Sequence, residues 1–153
     1  NEINMPEELI MRGNTASGET ETLSFGGQTS DYAYRMTELS IYPSTSIGTQ
    51  GAELLVSVTA AKTAEDPTNP NFDNAGLIAV SMLGVRSDVQ NGQFVNHTII
   101  NTEFYITQDL ILSARDTLSG GPQNVNWQCK FEKIKLTDSA QAVANYNQST
   151  IYD

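Results

Sequence analysis

A lone histidine, a lone cysteine and eighteen carboxylates are the side chains of this 153-residue sequence that could carry covalent or acid–base chemistry. His97 lies in the strand-like run Val95-Asn96-His97-Thr98, far along the chain from Cys129. One histidine and one distant cysteine do not furnish the four-ligand set of a closed zinc site. A Ser–His–Asp arrangement would need a positioned nucleophile, yet no G-x-S-x-G elbow occurs and the Gly-Gly pairs sit in turn-like segments. Cys129 stands between Trp127 and Phe131 at strand spacing, the setting of an inert buried thiol. Glu7-Glu8, Glu65-Asp66 and the isolated Glu38, Glu53, Glu103 and Asp109 would form a glycosidase pair only if two of them met across a cleft. Their spacing selects no two. No catalytic residue is assigned, and a non-enzymatic protein is expected.

Two further groups could bind rather than react. The segment Asp66–Gly76 holds Asp66, Asn69, Asn71, Asp73 and Asn74, hard oxygen donors of the kind calcium takes. EF-hand spacing fails, because a loop begun at Asn69 puts Asn74 where the invariant Gly belongs and Val80 where the bidentate Glu belongs. Asx side chains also bond their own backbone in turns, and that is the reading adopted; no metal or cofactor is expected. Tyr32, Tyr34 and Tyr42 are the candidates for contact with a glycan or a protein partner. Strict alternation puts Tyr34 and Tyr42 on one face with Met36 between them, although core or interface packing is the usual role of such rings. Asn96-His97-Thr98 and Asn147-Gln148-Ser149 match the glycosylation acceptor pattern, which recurs by chance.

The elements that must position these residues read as strands. Residues 1–33 are polar and turn-rich, an arm or edge segment with a short strand or helical turn at Glu7–Arg12 and a strand at Glu21–Phe25. Residues 34–153 form the main domain. Arg35–Tyr42 is bounded by Pro43, which cannot donate to a ladder. Ala52–Ala61 alternates, with Leu54, Val56, Val58 and Ala60 on one face. Gly76–Val85 is uncharged and apolar on both faces, which predicts a second layer over it, from a sandwich partner or a neighbouring subunit. Asn91-Gly92 is a turn signal; Val95–Ile100 and Glu103–Ile106 read as strands broken near Asn101. Asp109–Asp116 and Asn126–Leu136 flank the Gly120-Gly121-Pro122 loop and read as a hairpin. A short helix is expected near residues 139–147, capped by Asp138 with Gln141 three residues later.

Within Asn126–Leu136 the apolar phase flips. Trp127, Cys129 and Phe131 share one face, whereas Ile134 and Leu136 fall on the other. Either a bulge near Glu132–Lys133 restores the phase, or the second half buries a separate surface; in the latter case Ile134 and Leu136 are candidate assembly contacts. With about seven to nine short strands and no βαβ alternation, the fold class is all-β: an antiparallel β-sandwich of jelly-roll or Greek-key type with a short C-terminal helix.

Composition agrees with that class. Hydrophobic residues are 39% and charged residues only 17% of the chain, below the usual ~25%, and amides and hydroxyls fill the difference. A net charge of −10 repels phosphate backbones, so no direct nucleic-acid partner is expected. The one basic cluster, Lys130, Lys133 and Lys135, is diluted by Glu132 and reads as a solvated strand face. One cysteine permits no intrachain disulfide, no run is long enough for a membrane helix, and no signal-peptide pattern is visible. The chain, which starts at Asn1 rather than at Met, is expected to be processed or to lack its first residues.

The back half, from LIAVSMLG through INTEFYITQDLIL to VNWQCKFEKIKLTDSAQAVANY, resembles small β-rich virion structural proteins of bacterial viruses. The likeness lies in general character rather than in a motif. It consists of short strands, Asn/Thr-rich turns, few lysines, and a last strand leading into a small helix. The resemblance implies a jelly-roll capsid, decoration or spike component, located in the virion and acting as a homo-oligomer with other virion proteins. It brings no enzymatic residues to carry over. Genome-contacting relatives often carry a basic arm, whereas this N-terminus holds Glu2, Glu7 and Glu8, which favours a protein-contacting role. A carbohydrate- or receptor-binding module on the same fold, using the tyrosines, is the alternative expectation.

Overall fold

The computed structural model describes residues 7–25, 31–46, 51–86, 93–118 and 122–136. Eight strands run through these residues: β1 Glu8–Thr15, β2 Thr20–Leu23, β3 Tyr32–Pro43, β4 Ala52–Thr59, β5 Leu77–Arg86, β6 Gln93–Ile100, β7 Leu110–Asp116 and β8 Val125–Lys135. They form two antiparallel sheets, a three-stranded one ordered β1-β8-β3 and a five-stranded one ordered β2-β7-β4-β5-β6. The protein is all-β and sandwich-like. The expected helix near 139–147, the Asn91-Gly92 turn and Gly120-Gly121 lie outside the described residues.

Alternation decides which side chains enter the space between the sheets. From β8 these are Val125, Trp127, Cys129 and Phe131; from β4, Leu54, Val56 and Val58; from β7, Leu110, Leu112 and Ala114; all are buried. Met36, Leu39 and Ile41 of β3 and Leu83 of β5 complete the same core. β1 and β2 are edge strands, one on each sheet, so the segment before residue 33 contributes a strand to both layers. Gly18, with φ of 88°, makes the turn between them in a conformation that L side chains rarely adopt.

Four expectations change. Asp109–Asp116 and Asn126–Leu136 do not form a hairpin: β7 pairs with β2 and β4, whereas β8 pairs with β1 and β3. The connection crosses between sheets, and a polar knot holds the crossing. The buried Asp116 carboxylate accepts the N–H groups of Glu53, Leu118 and Gln123 at 3.2, 3.0 and 3.0 Å. Gln123 Oε1 in turn accepts the N–H groups of Ser44 and Thr45. Second, Glu103–Ile106 is a turn rather than a strand; the Asn101 side chain accepts the Glu103 N–H, and only Ile106 bridges to Tyr34.

Third, Tyr34 and Tyr42 do not share a face. The β3–β8 register shifts between Met36 and Glu38, leaving Thr37 as an extra residue. One inserted residue reverses the alternation. Tyr34 therefore stays with Met36 against the core, whereas Tyr42 points away from it, 72% exposed. β8 pairs with β3 in unbroken register from Phe131 to Lys135, so the phase flip in its sequence is real: Ile134 pairs with Ala33 on the face opposite Phe131. Fourth, β5 is dry on one face only. Ala79, Ser81 and Leu83 are buried, but Val80 is half-buried and Met82 is 38% exposed.

Candidate functional site

Of the candidate catalytic carboxylates, Glu7, Glu38, Glu65, Asp66 and Asp109 are engaged in holding the fold. Glu65 anchors the long loop after β4: its carboxylate accepts the Asn71 N–H and the Asn74 amide, both at 2.7 Å. Its backbone meets Ser57 and Thr59, whose hydroxyls lie buried beneath the loop. Within the same loop Asp66 accepts the Thr68 N–H and hydroxyl, which hold its carboxyl below the ordinary value. Asn71 and Asn74 cap the N–H groups of Asp73 and Gly76. Asp66, Asn71 and Asn74, three of the calcium-like oxygen donors, thus close Asx turns. Among the described residues no cluster of three His, Cys, Asp or Glu side chains converges on one point.

Cys129 lies in the core, and burial pushes its thiol up to about 12. A thiol so placed is protonated and unreactive at neutral pH. His97 is exposed on β6, opposite Met82 across the ladder.

The tyrosine candidates separate into two groups. Tyr34 packs on Phe25 with ring centroids 5.1 Å apart, and Tyr32 stands edge-on to Tyr34 at 5.9 Å. The Lys133 ammonium sits 3.9 Å from the Tyr32 ring centroid and bonds Glu7 at 3.2 Å, which raises its pKa. These rings close one end of the core and do not form a platform with Tyr42. Tyr42 stands apart from the other two tyrosines above a shallow groove on the outer face of the β1-β8-β3 sheet, lined by Arg12, Asn14, Ser40, Asn126 and Gln128. Within it Asn14 and Asn126 bond each other at 2.7 Å, and Asn124 bonds Asn14. Ion pairs Arg35–Glu132 and Lys130–Glu38 continue this polar face towards Ile134. Leu136 donates its N–H to the Asp31 carbonyl, and both Ile134 and Leu136 are half-buried.

The opposite sheet has a different outer surface. Around β5 and β6, Met82, Val95 and Ile99 lie on the face away from the core, the last two 49% and 44% exposed. Phe72, 60% exposed, borders the same area across a groove floored by Leu77, Val80 and Ile99. Phe94, on the other face of β6, is 64% exposed beside Tyr42 and Leu83. Reasoning from sequence motifs does not single out these apolar residues. The signal that could have found them is the complete absence of charge in QFVNHTII, combined with apolar residues in both phases.

No protein-family model matches this chain, and a search of curated proteins gives no match.

Proposed function

We propose that this chain is a non-enzymatic virion structural protein, a jelly-roll subunit of a capsid, decoration layer or spike that works by symmetric self-association. The observation that carries the reading is an uncharged edge strand, β6, whose Val95 and Ile99 are exposed beside Met82 of β5, on a chain whose net charge is −10. Contiguous exposed apolar surface on an otherwise polar molecule marks an interaction site. The pairing order supports the jelly-roll reading. A jelly roll wraps nested antiparallel pairs into two sheets. Here β1·β8, β2·β7 and β4·β5 are bonded as such pairs, and β3 touches β6. The departure is that β6 bonds β5 and so extends the larger sheet.

Sedimentation of the purified chain tests the assignment. A species of several chains is expected; a sole 16.7 kDa species at high concentration, with no partner recovered, would count against it. A second reading, a glycan- or receptor-binding module, is favoured by the groove beneath Tyr42. An exposed ring beside Arg12, Asn126 and Gln128 is the amphipathic surface that a sugar ring stacks on and bonds. Glycan-array binding abolished by Tyr42→Ala, with the fold intact, would support it.

A further inference from the structure

Among the described residues each sheet has two edge strands, and three of the four carry features that discourage pairing with another chain. β2 is only four residues long and includes Glu21. β1 carries Glu8 and Arg12. β3 is bulged at Thr37, bridged at Tyr34 to Ile106 and ended by Pro43. β6 has none of these protections. It is eight residues long, without charge or proline, in unbroken register with β5.

Its sequence also reads alike in both directions from His97. Asn96 and Thr98 are polar neighbours, Val95 and Ile99 are β-branched apolar, and Phe94 and Ile100 are large apolar. An antiparallel strand pair on a two-fold axis perpendicular to the sheet matches residues at equal distances from its centre and keeps each face continuous. The near-symmetry of residue class about His97 satisfies that matching.

We infer that β6 pairs antiparallel with β6 of a second copy of this chain, across a two-fold axis at His97. The two five-stranded sheets then form one continuous sheet. The inference rests on the self-association proposed above and names its surface. The symmetry of β6 about His97 selects a second copy as the occupant, and β6 is the edge strand with no carboxylate to repel a copy that also carries −10.

Backbone phase agrees with this register. The Asn101 N–H donates to the Ile78 carbonyl at 2.8 Å, and these two residues continue the β5–β6 pairing. Alternation from that bond turns the backbone groups of Val95, His97 and Ile99 towards β5, and those of Phe94, Asn96, Thr98 and Ile100 outward. The outward groups of Asn96 therefore bond Thr98 of the second copy, and those of Phe94 bond Ile100. On the outer face Val95 packs on Ile99 of the second copy. His97 meets its own mate in a non-hydrogen-bonded pair, with Cα atoms about 4.5 Å apart, within disulfide range.

Cysteine cross-linking reads this geometry directly, because Cys129 is buried and does not compete. Under mild oxidation His97→Cys is expected to form a disulfide-linked dimer, Val95→Cys to remain unlinked, and Val95→Cys combined with Ile99→Cys to link. All three positions are exposed, and Trp127 emission reports whether each variant is folded. On the unmodified chain, amide exchange at Phe94, Asn96, Thr98 and Ile100 should slow as concentration rises. If His97→Cys stays unlinked and those amides stay unprotected while the wild-type chain is oligomeric, the β6 pairing is wrong and self-association survives. If the wild-type chain is also monomeric, both fall. Linking of Val95→Cys as fast as His97→Cys would overturn the register.

Discussion

Trp127 shows how one side chain can fix a neighbour's identity. Its indole lies over Gly13, the residue opposite it on β1, and donates to the Thr15 hydroxyl at 2.9 Å. A Cβ added at Gly13 would stand 2.7 Å from Trp127 Cε2 and closer still to Cζ2, so the indole must move and its hydrogen bond must lengthen. Gly13→Ala should cost about 1–3 kcal/mol, the range of an overpacked core, measured by urea unfolding. Cys129 predicts a pH dependence. Its ordinary pKa is 9.0, and burial raises it to about 12 in the folded chain. Between those values the unfolded chain has released a proton that the folded chain retains, so stability falls as pH rises. The contribution is full below about pH 9 and declines towards pH 12. Cys129→Ala should flatten that limb of the stability profile, which paired unfolding curves at stepped alkaline pH would show. Its buried position is readable from Trp-x-Cys-x-Phe, because alternation within one strand needs no partner.

At the scale of elements, local pattern reveals the strands but does not reveal their pairing. Leu54, Val56 and Val58 face inward as alternation predicts, and β8 buries Trp127, Cys129 and Phe131 along one face. What the sequence hides depends on residues distant along the chain. Thr37 looks like any strand residue; it becomes a bulge only because β8 keeps its register with β1 while pairing with β3. That single shift separates Tyr42 from Tyr34 and makes the outer groove. The apparent hairpin after Asp116 fails for a related reason, since the Gly-Gly-Pro loop specifies a reversal but not the sheet to which the chain returns. Asp116 helps to hold that crossing through its bonds to Glu53, Leu118 and Gln123. Asp116→Ala leaves buried N–H donors without an acceptor and should cost about 3 kcal/mol in urea unfolding. Exchange of the Gln123 amide should quicken in the same variant. An unchanged midpoint would show that the carboxylate is not what holds the crossing.

Among the described residues the two outer faces differ in charge. The outer face of the β1-β8-β3 sheet carries ion pairs and amides beside the exposed Ile10 and Tyr42, whereas β5 and β6 bring Met82, Val95 and Ile99 to theirs without a carboxylate on either strand. The two-faced apolar character of Gly76–Val85 hints at a missing layer, but only the sheet order shows that β6 is an edge. A chain of net charge −10 resists random association, so under the proposed self-association the uncharged β6 edge is where copies meet. The most direct test is light scattering over a concentration series, comparing the wild-type chain with Ile99→Glu. Ile99 is 44% exposed, so the substitution should leave folding intact while placing carboxylates in the apolar contact. The account predicts a wild-type mass that is a multiple of 16.7 kDa and an Ile99→Glu variant that is monomeric with unchanged Trp127 emission. A wild-type chain that stays at 16.7 kDa at every concentration, or a variant that assembles as well as the wild type, would contradict it.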